Sequence, residues 1–316
     1  MRNTYWLIYD LILLVHSYEQ WKRLAVGTPG FDVTGEESNE GQVSIYERFE
    51  YPERWELVYQ YSSSDLGGFL GSSLSLDASG TYIAVGAPYY RNATGSVHIF
   101  SRNLDGTWMK NQTIIGKNVG SMFGSSVSLS FKGEQLVIGA PSHNEVSIFK
   151  FNSSNNGWTE HSVLSPFVDA KSNGDTYGRT VLQSNDGSLI MIGAPGFHSS
   201  SGLVQIYKES NISGEWKIYG ENIVGIEKND KLGSSLSISG DGNVFAVGAP
   251  GRGSRQFLTG EVRIYKIKDS EINGWVMSKE VYGEGGENFG HSVSINGDGS
   301  IVSVGSPSNG LIRSFQ

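Results

Sequence analysis

Six histidines stand at 16, 98, 143, 161, 198 and 291, and they are the first side chains to test for chemistry. A zinc-type site needs imidazoles at short spacing, so that two rings reach one ion from the same element. No two of these histidines lie three or four residues apart, and they read as surface or strand positions. The carboxylates are next. Five short turns read Asp-Ala-Ser-Gly (77–80), Ser-Phe-Lys-Gly (130–133), Ser-Asn-Asp-Gly (184–187), Ser-Gly-Asp-Gly (239–242) and Asn-Gly-Asp-Gly (296–299). At most one carboxylate per turn falls short of the oxygen set that Ca²⁺ requires, so these read as Asx-Gly turns and no cofactor is expected. Glycosidic chemistry needs two positioned carboxylates, or an arginine cluster to hold an acidic sugar. No local pair marks such a site, although one assembled from distant segments stays open. The absence of cysteine excludes disulfides, thiolate metal sites and thiol nucleophiles together.

The residues most suited to binding lie on loops. They are Phe31, Tyr89, Tyr90, Arg91, Phe197, His198, Arg252, Arg255 and Phe257, all aromatic, histidine or arginine, of which Tyr and Arg are enriched among the residues that carry most binding energy at interfaces. The alternative is that some of these aromatics pack inward. Four Asn-X-Ser/Thr sequons, at Asn92, Asn111, Asn152 and Asn211, are expected glycosylation acceptors. Only 18% of residues are charged, the balance is −8 and no basic run occurs, which disfavours a nucleic-acid partner. No apolar run reaches the roughly 20 residues of a spanning helix. Residues 1–17 hold an apolar stretch interrupted by Asp10, readable as a signal peptide or as strands.

An internal repeat must position these loops. Gly-Ser-Ser-Leu-Ser-Leu at 71–76 runs into Val-Gly-Ala-Pro at 85–88, and the same 18-residue pattern returns at 124–141, 178–195, 233–250 and 290–307. A degenerate copy ends in Val-Gly-Thr-Pro at 26–29. The glycines of the Gly-X-Pro element, 27, 86, 139, 193, 248 and 305, lie 53 to 59 residues apart. Each unit reads as four strands: A of the Ser-Leu-Ser-Leu type, B ending in Gly-X-Pro, C of the Gly-X-Val-X-Ile-aromatic type, and D opening near Trp55, Trp108, Trp158, Trp216 or Trp275. With 42 glycines and only 8 prolines, the excess glycine goes to turns and close backbone contacts. Four short strands per repeat of this length predict an all-β propeller, six-bladed by count. The approximate units are 11–61, 62–115, 116–164, 165–219, 220–282 and 283–316, the last closed by residues 5–9.

Phe123-Gly124 and Phe289-Gly290 before strand A, with Gly-Ala-Pro after strand B, resemble the FG-GAP repeats of integrin alpha propellers. Leu70-Gly71, Tyr177-Gly178 and Leu232-Gly233 are apolar variants of the first element. The resemblance implies an extracellular or cell-surface glycoprotein, a non-catalytic adhesion or ligand-binding module with a protein or glycan partner on its loop face. It also implies a seven-bladed relative, and calcium in longer acidic turns whose flanking acids are missing around Asp241 and Asp298. The stretch Ser75 to Tyr82 resembles a displaced sialidase Asp-box, occurring once. The alternatives are a carbohydrate-active enzyme or lectin on the same fold, and a scaffold fragment of a larger adhesin.

Overall fold

A computed structural model describes residues 12–14, 23–32, 38–50, 53–166, 174–210, 212–254, 257–268 and 274–316. The chain is an all-β, six-bladed propeller of small antiparallel sheets, with almost no helix. It divides into two compact units, Met1–Gly124 and Ser125–Gln316. The first unit holds two blades: Ile12–Leu14, Arg23–Thr28, Gln42–Glu50 and Glu53–Ser62, then Ser73–Leu76, Tyr82–Ala87, Ser96–Arg102 and Trp108–Ile115. The degenerate copy is thus a true blade whose strand A is Ile12–Leu14.

The second unit holds four. The third blade is Ser126–Leu129, Gln135–Ala140, Glu145–Asn152 and Gly157–Leu164. The fourth is Thr180–Gln183, Leu189–Ala194, Leu203–Glu209 and Trp216–Ile218, with Ile223–Val224 also pairing on its strand C. The fifth is Ser235–Ile238, Val244–Ala249, Glu261–Ile267 and Trp275–Tyr282, with a ribbon of Gly253–Ser254 and Phe257–Leu258 in its B-to-C loop. The sixth shows Ser292–Ile295, Val302–Ser306 and Leu311–Phe315. The closing strand expected at residues 5–9 lies outside the described residues.

The repeat motif is an inter-blade fastening. A Cβ on Gly139 would overlap the carbonyl oxygen of Gly178 in the next blade, and the same holds for Gly193 against Gly233 and Gly248 against Gly290. The serine opening strand A completes the joint. Ser126 Oγ donates to Gly178 O at 2.8 Å and Ser235 Oγ to Gly290 O at 2.7 Å, while Thr180 takes this place in the fourth blade. Small side chains here therefore answer a hydrogen bond as well as crowding. The residue before strand C makes a second fastening: Gly202 bridges to Leu232 and Gly260 to Phe289, again where a Cβ would meet backbone. Asn144 holds that place in the third blade at φ +54, a left-handed conformation that Asn tolerates, and its Oδ1 accepts from Tyr177 N at 2.9 Å.

The A-to-B turns share one hydrogen-bond plan. Asp77 Oδ1 accepts from Thr81 N and Tyr82 N, each at 2.7 Å, and Ser184, Ser239 and Asn296 accept from the corresponding amides. The acids that follow serve the same turns. Asp241 accepts from Ser239 Oγ and Asn243 N, and Asp298 from Ser300, bonds that lower both pKa values. Asp77 in the Asp-box-like stretch is therefore a turn anchor.

Strand C alternates: in the first five blades the Val and Ile flanking its central position are buried, whereas Ile312 in the sixth is exposed, and the intervening column reads Ser44, His98, Ser147, Gln205, Arg263 and Arg313. His98 is buried with neither ring nitrogen hydrogen-bonded. Burial foremost, then the charge of Lys110, lowers its pKa from 6.5 to about 4. Between those values the unfolded chain binds the proton and the fold does not, so stability is full above pH 6.5 and declines as pH falls toward 4. The expected loss is about 2–3 kcal/mol. Urea midpoints at neutral and mildly acid pH check this, and His98→Leu should flatten the difference.

Candidate active site

Of the loop residues expected to bind, two are structural anchors. Tyr90 and Phe197 are buried, each opening a short turn whose next three residues are left-handed: Arg91, Asn92 and Ala93 in one, His198, Ser199 and Ser200 in the other. The same bonds close both turns, Gly95 N to Tyr90 O and Gly202 N to Phe197 O. The Arg91 guanidinium covers the Tyr90 ring at 4.9 Å, and His198 stacks on Phe197 at 4.2 Å. Tyr89 is exposed against Phe69, and Phe31 is exposed in the first blade's B-to-C loop. These side chains lie in separate loops, and none of their contacts joins one loop's set to another's. Arg255 and the side chain of Phe257 lie outside the described residues. Asn92, Asn111 and Asn152 are exposed, as acceptors must be, and Asn211 lies outside the described residues.

Arg252 is different, because the fifth blade gathers charge around it. Glu227 and Asp230 come from the loop entering the blade, Arg252 from the B-to-C loop, Glu261 and Arg263 from the start of strand C, and Glu280 and Tyr282 from the end of strand D. Antiparallel register brings the last four together, with Glu261 opposite Tyr282 and Arg263 opposite Glu280. Loop entry is set by Gly251: a Cβ there would overlap Asn229 O, and its amide donates to Asp230 O at 3.0 Å.

The arginines bind these acids together. Arg252 Nη1 lies 3.1 Å from Glu227 and 3.3 Å from Asp230, and its Nε lies 3.4 Å from Glu261. Arg263 Nε contacts Glu261 and lies 3.7 Å from Glu280, while its Nη1 donates to Val224 O at 3.1 Å. Glu261 is fully buried and Asp230 is 1% exposed, whereas Glu227 is 59% exposed. Burial opposes the charge on Arg252, but Asp230, Glu227 and Glu261 outweigh it and raise the pKa. Burial likewise pushes the Tyr265 hydroxyl up to about 12, against the opposing pull of Arg263. Asp230 Oδ2 accepts from Ile226 N and Glu227 N, whereas the buried Oδ1 has no hydrogen-bond partner. Tyr282 donates to Glu280 at 3.1 Å, leaving a half-buried carboxylate beside the Arg263 guanidinium. Among the described residues no group of three or more acids and histidines is arranged to hold a metal ion.

A recurring signal accompanies this site. Asp175, Asp230 and Glu287 each stand three residues before the glycine of strand A, all buried, and Glu287 pairs with Arg313 at 2.6 Å as Asp230 pairs with Arg252. Aligning the repeats on that glycine would have marked the column.

The fold defines a six-bladed propeller class shared with several solved structures. A periplasmic gluconolactonase from Pseudomonas aeruginosa, PpgL, is 15% identical, with a TM-score of 0.59 over 96% of this chain and 84% of its own. A candidate 6-phosphogluconolactonase from Bacteroides uniformis is 11% identical, with a TM-score of 0.66 over 96% and 83%. A functionally unknown protein from Desulfotomaculum acetoxidans is 11% identical, with a TM-score of 0.64 over 98% and 83%. No family model and no curated protein matches the chain.

These findings correct the expected kinship with FG-GAP and integrin alpha propellers. No family model supports it, and the neighbours named for an activity are lactonases. With it go the reading as a non-catalytic adhesion module and the classification as a non-enzyme. The physical reason lies in the joints described above. Glycine after strand B, glycine before strand A and a small hydroxyl residue are what close packing of adjacent blades demands, so the motif reports blade packing. No helix among the described residues is long and apolar enough to cross a membrane.

Proposed function

We propose that the chain is a carbohydrate-active hydrolase opening a sugar lactone, with the acid and arginine cluster of the fifth blade as its site. The observation that carries this is Glu280, a half-buried carboxylate held by Tyr282 and flanked by Arg263. Glu280 takes a proton from water as the water oxygen adds to the lactone carbonyl. Arg252, partly exposed between Glu227, Asp230 and Glu261, orients the lactone at the edge of the site. The ring C–O bond then breaks, its oxygen leaves with a proton, and a hydroxy acid is released. The lactonase names of the structural neighbours support the substrate class.

We assign the protein to an extracytoplasmic compartment. The periplasmic P. aeruginosa neighbour and the three exposed sequon asparagines support this. Phe31, Tyr89 and Arg91 belong, in this reading, to the outer rim of the loop surface, and the six repeat units with their stated boundaries act as one domain.

Purified protein should accelerate aldonolactone hydrolysis above the spontaneous rate, followed by pH-stat titration. Glu280→Gln should lower kcat about a hundredfold with KM little changed. Hydrolysis at the spontaneous rate across a panel of aldonolactones would overturn the reading.

A further inference from the structure

Beyond the fifth-blade reading, we infer that the second unit holds a separate subsite for a small organic carboxylate, with Arg179 as its binding group and His291 beside it. Strands A carry the argument. Thr180–Gln183, Ser235–Ile238 and Ser292–Ile295 each stand at one end of their sheet and pack on one another from blade to blade, and the Ser237 hydroxyl accepts from Ile295 N at 2.9 Å. The residue after the glycine of strand A leads into each one: Ser125, Arg179, Ser234 and His291 in the four blades of this unit. Successive joints tie that row together. Ser126 donates to Gly178 O, Thr180 to Gly233 O and Ser235 to Gly290 O, so chain neighbours of the row are bonded from one blade to the next.

Charge singles out Arg179 within the row. Every other described arginine has an acid or an aromatic ring as its partner. Arg179 is exposed and has neither. It also breaks the repeat, because serine holds its place in the second, third and fifth blades, and Ser234 there turns its hydroxyl back onto Lys231 O at 2.7 Å. A serine closes its own turn, whereas an arginine offers a planar fork of donors that matches the two oxygens of a carboxylate. His291 and Lys231 are exposed on the adjoining blades, and neither forms an ion pair. The acids of the entering loops do not neutralise this row: Asp175, Asp230 and Glu287 are buried, and the last two are held by Arg252 and Arg313. An anion from solution is thus the counter-charge that fits.

Ligand-observed NMR on the full chain tests this without turnover, using gluconate, glucitol as its uncharged analogue, and inorganic phosphate. Gluconate should bind saturably and glucitol should not. Arg179→Gln should weaken gluconate binding at least about tenfold, the loss of a charge-assisted pair, while Arg179→Lys, which keeps the charge without the fork, should fall between. His291→Gln should weaken it by about two- to threefold. Unchanged thermal midpoints would show that these exposed positions are not needed by the fold. Absence of gluconate binding, binding that Arg179→Gln leaves unchanged, or tighter binding of phosphate than of gluconate overturns the inference. Gluconate binding by a chain that does not hydrolyse lactones keeps the inference and removes the hydrolase reading, so the two fail separately.

Discussion

Replacing Gly248 by alanine is expected to destabilise the second unit by about 3 kcal/mol or more, at the upper end of overpacking effects. The added methyl would overlap both Gly290 O and Ser235 Oγ, with the Gly290 carbonyl carbon only 3.0 Å away. Those atoms belong to a backbone joint that already carries a hydrogen bond from Ser235 Oγ to Gly290 O. The Gly290 carbonyl is backbone and cannot swing aside, and turning the Ser235 hydroxyl away breaks the hydrogen bond of the joint, so relief requires moving one blade from the next. Gly214 is the matched control. It has φ +68 but nothing within 4 Å of its would-be Cβ, so Gly214→Ala carries only a local conformational penalty of about 1 kcal/mol. Urea denaturation of both variants separates the effects. Equal midpoints would show that close approach is not what glycine provides after strand B.

The second large effect is expected at Glu261. Its carboxylate is fully buried and faces both Arg252 and Arg263, so Glu261→Ala leaves two guanidinium groups short of a counter-charge where water is excluded. Breaking one side of a buried pair costs about 3–5 kcal/mol. Removing both charges of the closest pair should cost less, because no uncompensated ion remains there. The double variant Glu261→Leu with Arg263→Met should therefore be more stable than Glu261→Ala alone, as measured by thermal unfolding. If it is less stable, the pair stabilises the fold through its charges and is not simply a mutually compensated burial.

Much of the architecture was legible before any coordinates, because propeller packing imposes itself on each repeat. Serine at the start of strand A, glycine after strand B and tryptophan at the opening of strand D recur once per repeat, and each stands where one blade must meet the next or its own hairpin must turn. The degenerate first copy was legible only through Gly27. Its strand A carries none of the usual serines, yet Ile12 takes the register position opposite Gly27 that Ser73 takes opposite Gly86. The same legibility misled on descent. Residues demanded by packing resemble a family signature wherever blades pack this closely.

By itself, then, the sequence determined the blade count, the repeat joints and the loops that vary, since these follow from local periodicity and from steric demands at single residues. It also named Arg252 as one of nine loop residues suited to binding. Only the tertiary structure decided that Arg252 meets Asp230, 22 residues earlier in the chain, and Glu261 beyond the intervening ribbon. It likewise decided that Tyr90 and Phe197 point inward while Tyr89 faces solvent. An aromatic on a loop has no period to reveal its face, and a charged pair spanning two loops and a strand has no fixed spacing. Both depend on how the loop entering a blade lies across the strands that follow it, which Gly251 permits and the hydrogen bond from its amide to Asp230 O holds in place.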